Sequence, residues 1–271
     1  MANFKLLVID LDGTLINRSG DISEKDRQAL AQAAAAGVKV ALSTGRVTRA
    51  CHRIIELLSL DGYHIFYDGA LVSDPHQNKE VYAWHIDKDV VRRAVEFSRK
   101  NETYLELYSS ENFFAEKTNW SDDIHRRFFK VTPKIVSFDG IWERERIIKA
   151  ELLVHNPEEA AKAESFKKEF NGSLHFSIAR SPAYPGLDFV NIISPGVSKG
   201  AALKALVSFM DIPMSDVIAI GDGLNDISLL EIAGTAVAMG NAFPEVKAVA
   251  DHITLDVEDS GVAAAVERFL L

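Results

Sequence analysis

The stretch Phe4-Lys5-Leu6-Leu7-Val8-Ile9-Asp10-Leu11-Asp12-Gly13-Thr14-Leu15 decides how the rest of the chain is read. Its first half is apolar apart from Lys5, the pattern of a central parallel strand buried on both faces. Its second half places two carboxylates, two residues apart, directly after that strand, and Gly13 permits a sharp turn there. Ser23 with Asp26 resembles a capping box, the alanine-rich run through Ala36 supplies helix formers, and Gly37 sits where a C-terminal cap belongs. Val38 to Leu42 is the next strand expected. Strand, helix and strand within about forty residues form the unit of a doubly wound parallel sheet.

The pattern returns in the last third. Phe189 to Ile193, Val217 to Ile220, Thr235 to Met239 and His252 to Leu255 read as strands, with helices over Ser198 to Met210, Asp226 to Ala233 and Val262 to Leu270. Between the two halves the character changes. Thr103 to Tyr108 and Phe113 to Glu116, separated by Ser-Ser-Glu-Asn, read as a hairpin. Ile148 to His155 reads as a strand leading into a helix capped by Asn156, with Pro157 at its first position. Pro182, Pro185 and Gly186 mark a loop where the chain is expected to return. The fold expected is α/β: a doubly wound, Rossmann-like core of residues 1–82 and 187–271, with an α+β domain of residues 83–186 inserted in it.

Composition narrows the function. The chain has 271 residues, is 47% hydrophobic and 25% charged, and carries a net charge of −9, which argues against nucleic acid or an anionic membrane as a partner. No stretch reaches the roughly 18 apolar residues of a membrane span. The single cysteine, Cys51, excludes an intramolecular disulfide, and the N-terminus lacks the pattern of a signal peptide, so a cytoplasmic location is expected.

Four clusters fall at the C-terminal ends of strands expected in the parallel half, where doubly wound sheets bind ligands. In Asp10-Leu11-Asp12-Gly13-Thr14-Leu15 one carboxylate can attack phosphorus while its neighbour handles protons. Ser43-Thr44-Gly45-Arg46 offers a hydroxyl and approachable backbone N–H groups for phosphate oxygens, or simply a helix cap. Gly196-Val197-Ser198-Lys199-Gly200 supplies a cation, Lys199, for a phosphoryl group. The same segment matches the Gly-x-Ser-x-Gly elbow of serine hydrolases, with Asp222 and His252 in triad order, although Pro195 interrupts the strand entry and Asp10 and Asp12 are left without work. Gly221-Asp222-Gly223-Leu224-Asn225-Asp226 adds two carboxylates four apart. Asp10 and Asp222 together meet the oxygen-ligand demand of magnesium. A nucleophile, an acid/base, phosphate donors, a cation and a metal site make up the inventory of phosphoryl transfer.

With these motifs the chain resembles the haloacid dehalogenase (HAD) superfamily, and within it the Cof-type phosphatases of sugar phosphates and other small phosphate esters. Ala238-Met239-Gly240-Asn241-Ala242 and Asp259-Ser260-Gly261-Val262 extend the resemblance to the C-terminus. It implies that Asp10 is the nucleophile and a magnesium ligand, and that Asp12 is the general acid/base, its backbone carbonyl also reaching the metal. Leu11 and Gly45 would give backbone N–H groups to phosphate, while Thr44, Lys199 and Asn225 hold its oxygens. Asp222 and the Gly223 region would complete the metal site, with Asp226 in support. The inserted domain would be the cap, and Arg180 and Tyr184, near the return hinge, are candidate substrate contacts. In Tyr67-Asp68-Gly69-Ala70 the chain carries Asp68 where this group often has Asn, an added anion beside a phosphate site.

The function expected is a magnesium-dependent phosphatase acting on a small phosphorylated metabolite through an aspartyl phosphate. A phosphomutase of the same fold, a serine hydrolase using Ser198 and a non-catalytic phospho-acceptor module are the alternatives. These residues specify neither a monomer nor a homodimer.

Overall fold

A computed structural model of the chain describes residues 4–129, 131–180 and 186–271; at 128, 129, 179 and 180 it describes the backbone alone. Among these residues the strands are β1 Leu6–Ile9, β2 Lys39–Leu42, β3 His64–Phe66, β4 Leu71–Asp74, β5 Lys79–Ala83, β6 Glu106–Tyr108, β7 Phe113–Ala115, β8 Lys134–Ile135, β9 Lys149–Val154, β10 His175–Arg180, β11 Asp188–Ile193, β12 Val217–Gly221, β13 Thr235–Ala238 and β14 His252–Ile253. They form three sheets, and the chain divides into two compact units. One unit comprises Met1–Arg46, His52–Tyr82 and Ser198–Leu271; the other comprises Val47–Cys51 and Ala83–Val197.

The first unit is built on a parallel sheet in the order β14-β13-β12-β1-β2. All four residues of β1 are buried, as a central strand covered on both faces requires. The helix Glu24–Ala35 follows, its first turn fixed by the Ser23 hydroxyl, which accepts from the Asp26 N–H at 3.0 Å. Gly37 then turns the chain at φ +90° into β2. Ser43 and Ile65 add a single parallel bridge, which brings β3 alongside the edge of this sheet; β3, β4 and β5 form a small sheet of their own. The sequence pattern gave no sign of these three strands, because short runs broken by Asp61, Gly62 and His64 carry no periodicity.

The second unit has a six-stranded sheet in the order β10-β11-β9-β6-β7-β8, antiparallel except for the parallel pair β7 and β8. The expected hairpin is the pair β6 and β7. One face packs against the helices Lys88–Lys100 and Pro157–Glu169 through Leu107, Ala150, Leu152, Val190 and Ile192, with Phe166 and Phe170 filling the centre. Asn156 caps the second helix by accepting from the Glu159 N–H at 2.9 Å.

Two expectations are corrected. The strand at Phe189 to Ile193 does not join the parallel series. It is β11, antiparallel to β9 and β10, and the second unit runs on to Val197 rather than ending near Gly186. A buried apolar strand reads alike in parallel and antiparallel sheets, so the pattern alone could not tell which sheet it joins; Pro182 and Pro185 of the expected loop lie outside the described residues. The helix expected over Asp226 to Ala233 is reduced to a 3-10 turn, Leu224–Asp226, and a single turn, Ile227–Leu230. There Asp226 turns back to bind the loop before it.

Candidate active site

Three loops at the C-terminal ends of β1, β2 and β12, with the start of the helix Lys199–Met210, converge in the first unit. The β1 end places Asp10 beside Lys199, whose Nζ donates to Asp10 Oδ1 at 2.6 Å and to Asp226 Oδ1 at 2.6 Å. The Lys199 side chain is fully buried, an arrangement sustained only by paired charge. Burial works to lower its pKa, but Asp10, Asp226 and Asp68 outweigh it and hold the ammonium above its ordinary range.

Each carboxylate is placed by a distinct local device. Asp226 Oδ2 accepts from the N–H groups of Asp222 and Gly223 at 3.1 and 2.9 Å, which closes the loop after β12. Asp222 Oδ1 accepts from the Thr14 hydroxyl at 2.7 Å. Gly13, at φ +92°, lies so near that a Cβ there would stand 2.5 Å from Asp222 Oδ2, so this turn needs glycine both for its conformation and for its space. Asn241 ties the same groups together: its Nδ2 donates to the Gly13 carbonyl at 2.7 Å and its Oδ1 accepts from the Val257 N–H at 2.9 Å.

Asp10, Asp222 and Asp226 each offer a carboxylate oxygen within 4.8 Å of the others. Three carboxylates around one ammonium leave negative charge in excess. Burial first, then Asp226, pushes Asp222 up to about 7 against the opposing Thr14 hydrogen bond; burial, Asp226 and Asp222 likewise push Asp10 well above the ordinary carboxylate range against Lys199. An all-oxygen, charge-deficient donor set fits a hard divalent cation. Both Asp226 oxygens are taken up by Lys199 and two N–H groups, whereas among the described residues Asp222 Oδ2 has only a long contact with Asn241 Nδ2, at 3.4 Å, and Asp10 is bound through Oδ1 alone.

Asp12 lies apart from this trio and is exposed. Its carboxylate is gripped by Arg46, through Nε at 2.8 Å and Nη2 at 2.5 Å, a fork the sequence reading did not assign although Arg46 ends the second motif. The Thr44 hydroxyl accepts from the Arg46 N–H at 3.1 Å. Asn225 Nδ2 donates to Asp68 at 2.8 Å, which brings Asp68 and Asn225 together. Leu11, Gly45 and Gly223 lie on the same loops as these groups. Of the two remaining candidates, Tyr184 lies outside the described residues, and Arg180 is described by backbone alone, paired in register with Asp188 at the end of β10.

The serine triad is not assembled among the described residues. The Ser198 hydroxyl caps its helix by accepting from Ala201 N–H, the His252 ring lies 4.8 Å from that of Phe269, and Asp222 is bound by Thr14.

Fold and site together define an α/β protein that gathers carboxylates at the ends of parallel strands around one buried lysine at a helix start. The chain belongs to the haloacid dehalogenase-like hydrolases, whose family model matches residues 7–266, and it is a phosphatase of that family. It is 31% identical over 271 residues to the 5-amino-6-(5-phospho-D-ribitylamino)uracil phosphatase YcsE of Bacillus subtilis, covering 99% of this chain and 97% of that one. A haloacid dehalogenase-like hydrolase from Bacteroides thetaiotaomicron superposes with a TM-score of 0.83 at 28% identity, over 98% of this chain and 99% of that one. The subclass IIB sugar phosphatase BT4131 superposes with a TM-score of 0.78 at 26% identity, over 98% of each chain. No helix among the described residues is long and apolar enough to cross a membrane.

Proposed function

We propose that this phosphatase hydrolyses small phosphomonoesters, sugar phosphates or similar metabolites, with magnesium and through an aspartyl phosphate on Asp10. The observation that carries the reading is the Asp10 carboxylate: Oδ1 is held by Lys199, while Oδ2 has no hydrogen-bond partner among the described residues. Asp10 Oδ2 attacks phosphorus, the bond to the leaving oxygen breaks, and Asp12 gives that oxygen a proton. Asp12 then takes a proton from water as the water oxygen bonds to phosphorus and the Asp10–phosphorus bond breaks. Inorganic phosphate leaves and both carboxylates are restored.

Lys199, the Thr44 hydroxyl, Asn225 Nδ2 and the N–H groups of Leu11 and Gly45 hold the phosphoryl oxygens in this scheme. Asp10, Asp222, the Asp12 carbonyl and the Gly223 region, supported by Asp226, would hold the divalent cation, which when bound offsets the repulsion between Asp10 and the phosphate dianion. Lys199 offsets part of it as well. The fork from Arg46 orients Asp12, so that its proton is delivered from a fixed position. The second unit serves as the cap that selects the leaving group, in an enzyme of the cytoplasm, and the likeness to YcsE and BT4131 supports small phosphorylated metabolites as substrates.

A phosphate-release screen over many phosphomonoesters, with magnesium and with EDTA, tests the reading on wild type and Asp10→Asn. Release that needs both magnesium and Asp10 is the expected result. Turnover by Asp10→Asn at a comparable rate would overturn it, and transfer of phosphate from a sugar bisphosphate without net release would favour a mutase instead.

A further inference from the structure

Asp68 sits in an unusual stretch of backbone. Tyr67, Asp68 and Gly69 all have positive φ, at 53°, 53° and 100°, and for the two non-glycine residues this is a costly conformation that persists only when its surroundings enforce it. Those surroundings are the site: the Asp68 N–H donates to the Thr44 carbonyl at 3.0 Å, and a Cβ at Gly69 would collide with the Ser198 carbonyl at 2.2 Å. The Asp68 side chain is buried. It fills the space over Gly45, where an added Cβ would lie 2.9 Å from Asp68 Oδ1. A buried anion next to phosphate-binding groups would by itself oppose an anionic substrate, so its presence asks for a compensating use.

That use lies in its contact with Asn225. A carboxylate can only accept, so the amide edge that meets Asp68 must be Nδ2. The other side of the amide lies close to Gly223, where an added Cβ would stand 2.5 Å from Asn225 Oδ1, so the amide takes up the space that a side chain at position 223 would need. One Nδ2 hydrogen is taken by Asp68 Oδ1 at 2.8 Å, and the second remains to donate. A neutral amide at position 68 could accept from Asn225 or donate to it; the carboxylate admits one orientation.

We infer that Asp68 is a positioning residue that acts through Asn225, locking its amide so that the second Nδ2–H is presented to the phosphoryl group. The inference rests on the phosphatase reading above. The gain from a locked donor exceeds the repulsion from the added charge, because that charge is also shared with buried Lys199.

The test compares Asp68→Gly, Asp68→Asn, Asn225→Ala and the double variant Asp68→Gly/Asn225→Ala, with p-nitrophenyl phosphate as substrate and orthovanadate and inorganic phosphate as competitive inhibitors. Glycine removes the carboxylate without straining a φ of 53°. Loss of one hydrogen-bonded donor should raise KM and both inhibition constants about 5- to 10-fold in Asp68→Gly, with kcat less affected. Asp68→Asn, whose amide can accept from Asn225 or donate to it, should lose part of the lock and raise KM and both inhibition constants about two- to threefold. In the Asn225→Ala background, removing Asp68 should change nothing further. Tighter vanadate or phosphate binding by Asp68→Gly or Asp68→Asn, or an undiminished Asp68 effect without Asn225, would overturn the inference and make the residue a purely repulsive charge. Should Asp68→Gly fail to fold, Asp68→Asn alone still decides: weakened inhibitor binding supports the lock, and unchanged or tightened binding overturns it. A wild-type protein that neither releases phosphate nor binds vanadate would instead fail the phosphatase reading.

Discussion

Each of the two units buries a cluster of carboxylates with a lysine, and burial pushes a carboxyl group upward in both, Glu151 in the second unit as well as Asp10 and Asp222 in the first, but the clusters differ in how their charges are partnered. In the first, Asp10, Asp222 and Asp226 share Lys199, and the first two carboxyl groups are pushed upward by burial and mutual repulsion. In the second, Glu106 and Glu151 stand directly opposite each other on β6 and β9, yet each has its own partners. Glu106 accepts from the Tyr108 hydroxyl at 2.7 Å and pairs with His125 at 3.1 Å, and Lys149 meets Glu151 at 2.5 Å. The difference lies in position. The first cluster sits on loops at strand ends, where backbone geometry is free to crowd like charges for a cation and substrate to complete. The second projects from within strands, where fixed register allows each charge a matched neighbour.

The largest test of that contrast removes one charge from each cluster, a carboxylate from the first and the ammonium from the second. Asp10→Asn should lower turnover by roughly 10⁴-fold or more while the metal-free protein unfolds at an equal or higher temperature, since one of three crowded charges is gone; phosphate release and thermal unfolding read the two effects. Lys149→Met should do the reverse. It leaves Glu106 and Glu151 facing each other without their ammonium and should cost about 3–5 kcal/mol in urea unfolding, with the first unit's chemistry untouched.

The fork on Asp12 gives a smaller effect. Arg46→Ala should lower kcat/KM by about 10²-fold, seen mostly in kcat, because the proton donor loses its fixed position while the fold is unchanged. Arg46→Lys should recover little, since an ammonium cannot reproduce the two parallel bonds.

The mildest test uses pH. In the metal-free protein Asp10 and Asp222 hold protons more tightly folded than unfolded, so their contribution to stability is present below about pH 4, the unfolded value, and is lost as pH rises through the raised folded values, about 7 for Asp222. Magnesium should remove that slope by taking the place of the protons. His125 behaves differently: burial lowers its pKa, but Glu106 outweighs this and raises it, so its contribution is complete below about pH 6.5 and falls as pH rises through the folded value. That slope should persist in magnesium and vanish in His125→Gln. Thermal unfolding across pH with EDTA and with magnesium separates the two; a magnesium-sensitive slope in the Asp10→Asn/Asp222→Asn variant would break the distinction.

The site was legible in unequal parts. Asp10, Asp222, Asp226 and Lys199 could be picked out because short motifs at strand ends carry their positions with them. Arg46 and Asn241 lie within the motifs, but their partners do not show there, since a fork to Asp12 and a bridge from Gly13 to Val257 join residues far apart in sequence. The sheet that β11 joins is hidden for the same reason. Its apolar alternation specifies a strand, and only its partners make that strand antiparallel.

What the sequence determined by itself is local: a buried β1, the caps at Ser23 and Asn156, the turn at Gly13 and the acidic residues that follow strands. These depend on hydrogen bonds and conformations within a few residues of each other. What only the tertiary structure decided is the company each charge keeps. Lys199 between Asp10 and Asp226, Asp68 against Asn225 and Glu106 opposite Glu151 all join residues from distant segments. The interaction of charges depends on distances of a few ångströms and on burial, and neither is encoded in spacing along the chain.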